Sequence, residues 1–168
     1  MSRIPTSLAL NTVPGLALTA GTMTVSNSAE YRMVLSKYSW TNAMVVALGA
    51  ALTGDIIVCT LPAKTYVLKA LVVVTGTAAG VTTLTGGLGR TTAAFADYIV
   101  ASDLKVAANT IYGNAAAELG TNLSELVGDI PSLTATTAIK LHCISTVQNL
   151  DATTGSTGDI YIWTALLP

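Results

Sequence analysis

Short apolar runs alternate with glycine, proline and small polar residues along most of the chain after residue 30. Thr65 to Thr75 reads TYVLKALVVVT, a valine-rich run that predicts a strand. Asp55 to Leu61 reads DIIVCTL and predicts another, because β-branched residues fit a pleated surface. Only residues 62–64 (PAK) separate these two runs, so their spacing predicts a tight hairpin.

The clearest alternation runs from Thr136 to Val147 (TTAIKLHCISTV). Side chains of a strand point alternately to its two faces. One face would carry Ile139, Leu141, Cys143, Ser145 and Val147, and the other Lys140, His142, Ile144 and Thr146. A polar loop from Gln148 to Gly158 then leads to a last predicted strand, Asp159 to Leu166 (DIYIWTAL).

The remaining elements are less regular. Tyr31 to Ser36 alternates as a strand does, and Ala43 to Ala50 is apolar throughout, which periodicity alone does not assign to strand or helix. Val81 to Leu88 predicts a threonine-rich strand closed by glycines. Ser102 or Asp103 is expected to cap one short helix over Leu104–Ala107. Together these elements predict an all-β protein, an antiparallel β-sandwich or jelly roll with one short helix.

Residues 1–28 differ in composition from the rest of the chain. They contain a single charged side chain, Arg3, and are interrupted by prolines and glycines. Two interpretations stay open: an extended N-terminal arm that docks on a neighbouring subunit, or an edge strand of the same domain. Residues 29–168 are then the β-sandwich domain.

The charge content indicates what the surface of the folded chain contacts. Only 10% of the 168 residues are charged, 51% are hydrophobic, mean hydropathy is +0.61 and the net charge is −1. Ordinary domains carry about 25% charged residues. A surface with so few charges favours association with other protein surfaces, and we therefore expect a homo-oligomer. Eight scattered basic residues and few aromatics argue against nucleic acid. The longest apolar run is too short to cross a membrane, and no signal peptide is expected.

No arrangement of residues predicts catalysis, a cofactor or a metal. His142 is the single histidine, and Cys143 beside it would point to the opposite strand face, so a nucleophile–histidine pair is not expected. Cys59 and Cys143 are predicted to be free, buried thiols. The loop Asp151–Asp159 lacks the ligand placement of a calcium loop, and Thr85–Thr91 (TGGLGRT) lacks the ending of a phosphate loop, so it predicts a glycine turn. Five carboxylates are too scattered along the chain to predict the pair of acids that a glycosidase needs: Asp97, Asp103, Glu118, Glu125 and Asp129.

Three segments resemble the small β-sandwich decoration, or cement, proteins of tailed-bacteriophage capsids. They are Leu61–Gly89, Asp97–Gly113 and Thr136–Leu167, the last similar to the family's final hairpin. The resemblance implies a virion structural protein that is assembled in the host cytoplasm. It would form trimers on the capsid surface and reinforce joints between major capsid subunits; it implies no enzyme activity. The alternatives are a head-fibre base, a tail component, or a carbohydrate-binding, adhesin-like sandwich.

Overall fold

A computed structural model describes residues 9–11, 20–25, 32–90, 97–124 and 133–166 of the chain. Its strands are β1 Ala9–Asn11, β2 Ala20–Val25, β3 Arg32–Trp40, β4 Thr53–Leu61, β5 Thr65–Gly76, β6 Thr85–Gly89, β7 Ile99–Asp103, β8 Ile111–Tyr112, β9 Thr137–Ile144 and β10 Thr157–Leu166. The helical segments are α1 Asn42–Val46, α2 Thr121–Ser124, and the 3₁₀ turns Ala116–Glu118 and Leu150–Ala152.

The strands form two antiparallel sheets. One has six strands in the order β1-β2-β3-β10-β5-β8, and the other has four in the order β4-β9-β6-β7. From β3 onward, successive strands lie in opposite sheets, except for β6 and β7, which pair with each other. The prediction of an all-β antiparallel sandwich is confirmed.

The core lies between the two sheets, where the alternating apolar positions meet. Ile139, Leu141 and Cys143 on β9 and Ser145 just after it are buried, as the alternation predicted, but Val147 is 64% exposed because the strand ends at Ile144. Val72 and Ile160, which are cross-strand partners on β5 and β10, face them from the other sheet. Full burial of one such side chain contributes roughly 1.5–3 kcal/mol, so this interleaving is the main source of stability.

Two predicted hairpins are wrong. Residues 62–64 do form a turn, but β4 pairs with β9 and β5 pairs with β10, so the turn carries the chain from one sheet to the other. The strands β9 and β10 likewise belong to different sheets, although the family resemblance suggested a final hairpin. A short linker between two apolar strands fits either arrangement, because both strands bury their apolar faces in the same core.

The helix predicted over Leu104–Ala107 does not form. The carboxylate of Asp103 accepts the backbone N–H of Lys105 at 2.8 Å, which bends the chain at the end of β7. Leu104 is 1% exposed, and its N–H bonds the carbonyl of Leu84 at 2.8 Å. The bond to Leu84 continues the pairing of β7 with the chain that enters β6, and residues 104–107 do not go on into a helix. The helix α1 lies instead in the apolar run that periodicity left unassigned.

The glycine-rich segment starting at Thr85 is a central strand rather than a turn. The observed strand, Thr85–Gly89, overlaps only the second half of the predicted strand Val81–Leu88, and it lies between β9 and β7. A Cβ atom on Gly86 would lie 2.7 Å from Leu104 Cδ1 and 3.1 Å from Leu141 Cδ1. The glycine is therefore needed for close packing beneath the sheet.

Candidate functional site

A polar cluster occupies the outer face of the four-stranded sheet. Cross-strand pairing sets Asp55 on β4 opposite His142 on β9, and Lys140 lies two residues before His142 on the same strand. The Asp55 carboxylate accepts one hydrogen bond from His142 Nδ1 at 2.5 Å and another from Lys140 Nζ at 3.0 Å. Burial favours a raised pKa for Asp55, but the hydrogen bonds from His142 and Lys140 outweigh it and lower that pKa.

The cluster lacks the parts of a hydrolytic site. Gly87, which has no side chain, lies opposite His142 on the next strand. Cys143 points into the core, and burial raises its pKa to about 12. The placement of His142 and Lys140 outside and Cys143 inside was predictable from alternation. Asp55 was missed, because its contact with His142 depends on the register between β4 and β9.

No group of metal ligands forms in the described ranges. Three or more His, Cys, Asp or Glu side chains do not converge anywhere in that part of the chain. Asp151 lies exposed in a 3₁₀ turn. Asp159 lies on β10, where it accepts hydrogen bonds from Ser39 Oγ at 2.6 Å and Lys37 Nζ at 2.9 Å. The two carboxylates of the candidate calcium loop thus belong to different elements and make different contacts.

The other candidate carboxylates have structural roles where they are described. Asp97 is 5% exposed and accepts hydrogen bonds from the N–H and guanidinium of Arg90, at 2.7 and 3.1 Å, which ties the end of β6 to the start of β7. Glu118 accepts three backbone N–H groups, from residues 113–115, and these bonds lower its pKa despite the opposing effect of desolvation. Asp103 bends the chain after β7. Glu125 and Asp129 lie outside the described residues.

Both cysteines are free thiols, as predicted. Cys143 is buried and Cys59 is partly buried. Burial raises the pKa of Cys59 to about 11, against the smaller effect of a hydrogen bond with Tyr38. Neither thiol is an activated nucleophile, since the reactive form is the thiolate.

The outer face of the six-stranded sheet has a different character. On β3, β5 and β10 the side chains that alternate with the core positions point outward. We call this surface the aromatic face; apart from the bulge residue Leu68, its members are Met33, Leu35, Lys37, Ser39, Tyr66, Lys69, Leu71, Val73, Thr75, Thr157, Asp159, Tyr161, Trp163 and Ala165. Two lysines lie over its rings: Lys37 Nζ is 5.7 Å from the centroid of Tyr161, and Lys69 Nζ is 5.7 Å from that of Trp163.

The sequence contained the signal for this face, but not its position. The run of β5 is apolar at nearly every position, whereas a strand with one wet face alternates apolar and polar residues. Tyr161 and Trp163 likewise stand between the buried residues of β10. Which strands lie beside one another was needed before these residues joined into one surface.

Among the described residues, no helix is both long and apolar enough to cross a membrane.

Comparison with known proteins finds chains with a similar fold, but it assigns this chain to no family. No protein-family model and no curated protein matches the chain. A chain of the capsid of Ralstonia phage GP4 is similar in structure, with a TM-score of 0.52 and 12% identity over 87% of this chain and 92% of that chain. Chains of the cyanophage Pam1 capsid asymmetric unit (TM-score 0.48, 15% identity, 93% and 100% covered) and of the acidic stable capsid of Helicobacter pylori bacteriophage KHP30 (0.48, 14%, 86% and 93%) are also similar. At 12% identity, the GP4 likeness establishes a shared fold.

Proposed function

We propose that this protein is a structural component of a phage virion, and specifically a capsid decoration (cement) protein that binds between major capsid subunits. The observation that carries the proposal is the likeness, over most of both chains, to a chain in the capsid of Ralstonia phage GP4. The strand order supports it, since β3-β10-β5-β8 facing β4-β9-β6-β7 is the order expected for a double-sheet jelly roll.

The surface of the molecule supports a binding role over a catalytic one. The polar cluster at Asp55 neutralises itself within one sheet face, and the aromatic face is apolar enough to be buried in an assembly. Both features suit a protein that works by contact area repeated over many copies. We therefore propose that it is not an enzyme, and that its partners are further copies of itself, in a trimer, and the major capsid protein.

A shell-stability assay tests the cement role. Shells of the major capsid protein would be heated with and without this protein, and their disruption followed by light scattering. A cement protein raises the disruption temperature, and the rise saturates when all sites are filled, since binding to the intact state alone stabilises it. A protein that binds shells without changing this temperature is a decoration without a cement function, and one that sediments with tails instead supports the tail or head-fibre alternative.

The role of residues 1–28 is part of the same proposal. The pairing of β1 with β2 and of β2 with β3 supports the edge-strand interpretation, and the scarcity of charge supports an arm. Removal of residues 1–28 separates the two. A truncated protein that folds but no longer attaches to shells indicates an arm, whereas one that unfolds indicates an edge strand of the sandwich.

One observation favours a second candidate, a carbohydrate-binding sandwich. Tyr66, Tyr161 and Trp163 share the outer face of one sheet, and such aromatic rows stack on sugars. The lysines over Tyr161 and Trp163 occupy the ring faces that a sugar would need, which favours the virion role. Glycan-array binding that disappears in Trp163→Ala would support the carbohydrate alternative.

A further inference from the structure

The aromatic face does not have the composition of a sheet surface that faces water. Eight of its fourteen side chains are apolar or aromatic: Met33, Leu35, Tyr66, Leu71, Val73, Tyr161, Trp163 and Ala165. Antiparallel sheets with one solvated face normally alternate apolar and polar residues, and the strand β9 of the other sheet does so with Lys140 and His142. The six-stranded sheet therefore requires a cover on its outer side.

The three charged side chains on this face make contacts with other members of the face. Asp159 is bonded by both Lys37 and Ser39, and Lys37 also lies over Tyr161. Lys69 lies over Trp163. Lys37 thus has a carboxylate partner within the face, whereas Lys69 has only the ring of Trp163, so a surface that covers the face has to supply an acceptor for its ammonium. The face keeps a net charge of +1, from two lysines and one aspartate, in a chain whose total is −1.

We propose that the aromatic face is buried against a second copy of this chain. The buried centre of a protein interface is enriched in aromatic side chains, and this face carries Tyr66, Tyr161 and Trp163. The low total charge of the chain allows copies to approach each other without strong repulsion. The inference rests on the proposed homo-oligomer and adds the surface that forms it.

The size of the face indicates how the copies are arranged. Three strands spaced about 4.8 Å apart, each presenting about 25 Å of length, give a footprint of roughly 350 Å². A standard interface buries about 800 Å² on each partner, so the face supplies only part of what a stable contact needs. Each copy must add a second patch, as in a closed ring where every subunit presents two different surfaces to its neighbours. The strands β1 and β2, which extend the same sheet beyond β3, are the surface next to this face.

Matched lysine substitutions on the two outer faces test this inference. Leu35→Lys places a third cation at the centre of the aromatic face, beside Trp163. Ile57→Lys adds the same side chain to the outer face of the four-stranded sheet, where Ile57 is 54% exposed. We expect Leu35→Lys to weaken self-association by about 100-fold or more, because the added ammonium would be buried in the interface without a partner. Ile57→Lys should associate as the wild-type protein does.

Two measurements on each full-length variant complete the test: oligomeric state by sedimentation velocity, and acrylamide quenching of tryptophan fluorescence on dilution. Trp40 is 2% exposed and shielded in every state, so a quenching change reports Trp163. Wild type should gain quenching as it dissociates, and Leu35→Lys should show high quenching at all concentrations with a native circular dichroism spectrum.

The outcomes separate this inference from the proposed function. An oligomer that survives Leu35→Lys, or a monomeric wild type with Trp163 shielded at every dilution, overturns it. Loss of shell binding by Leu35→Lys with the oligomer intact also overturns it, because the face would then contact the capsid. Dispersal of the oligomer by Leu35→Lys supports the inference even if the wild-type protein fails to bind shells, in which case only the virion role falls.

Discussion

Replacement of Gly158 by alanine tests the packing that joins β10 to the end of β3. Gly158 lies opposite Trp40 in the sheet, and a Cβ atom there would meet the indole carbons Cη2, Cζ2 and Cζ3 at 1.9, 2.3 and 2.4 Å. Carbon atoms at optimal separation are about 3.5–4.0 Å apart, so the ring would have to move by about 1.5 Å. Trp40 is 2% exposed, and its Nε1–H donates to Ser156 Oγ at 3.2 Å, which leaves the ring little room.

The expected cost follows from two opposing effects. Overpacking of a core costs about 1–3 kcal/mol, and loss of the indole hydrogen bond adds about 1 kcal/mol. Removing a flexible glycine from a strand recovers roughly 0.5–1 kcal/mol. The net loss is about 1–3.5 kcal/mol, which for a chain of this size lowers Tm by about 2–14 °C.

Thermal and urea unfolding at equal protein concentration measure this loss. Gly54→Ala is a matched control on a strand, because its Cβ would touch only side-chain carbons of Leu48, at 3.0–3.2 Å, which can adjust. Trp40→Phe in the Gly158→Ala background should recover part of the loss, since the smaller ring vacates the space. A Tm for Gly158→Ala that equals that of the Gly54→Ala control would refute the packing argument.

Three further predictions concern the charge of Asp55, the two thiols and the exposed side chain of Val147. Because the pKa of Asp55 is lowered in the folded state, its contribution is present above the ordinary value near 3.8 and is lost as pH falls through the lowered value. Asp55→Asn should therefore cost about 1 kcal/mol in urea unfolding at neutral pH and much less in acid; a cost independent of pH contradicts this. Cys59 and Cys143, with raised pKa values of about 11 and 12, should react with a thiol reagent at mildly alkaline pH only after unfolding, and fast labelling of the native protein would show otherwise. Val147→Asp, at a position 64% exposed just beyond β9, should change Tm by less than about 2 °C; a larger loss would mean that this side chain is buried in the assembly.

Much of the fold was predictable from alternation, because the period of a strand is fixed by its backbone. The inner face of β9 and the extents of β5 and β10 followed from it. What alternation does not contain is which strands become neighbours. The PAK linker at 62–64 suits a hairpin and a crossing between sheets equally well, so the pairing of β4 with β9 was out of reach.

The site was less predictable for the same reason. His142 was placed correctly on an outer face, but its bond to Asp55 joins residues 87 positions apart in the chain. The aromatic face likewise needs Trp163 and Lys69 on adjacent strands. Glycine at position 86 suggested a turn because glycine permits turns, whereas its role is to admit the Leu104 side chain.

Co-sedimentation with shells of the major capsid protein tests the central claim most directly. Purified full-length protein would be mixed with assembled shells, and the pellet analysed after centrifugation through sucrose, with protein alone as the control. We expect the protein to pellet with the shells and the bound amount to saturate at a fixed ratio to capsid subunits. Protein that stays in the supernatant at every ratio, while folded and oligomeric, would contradict a role on the capsid.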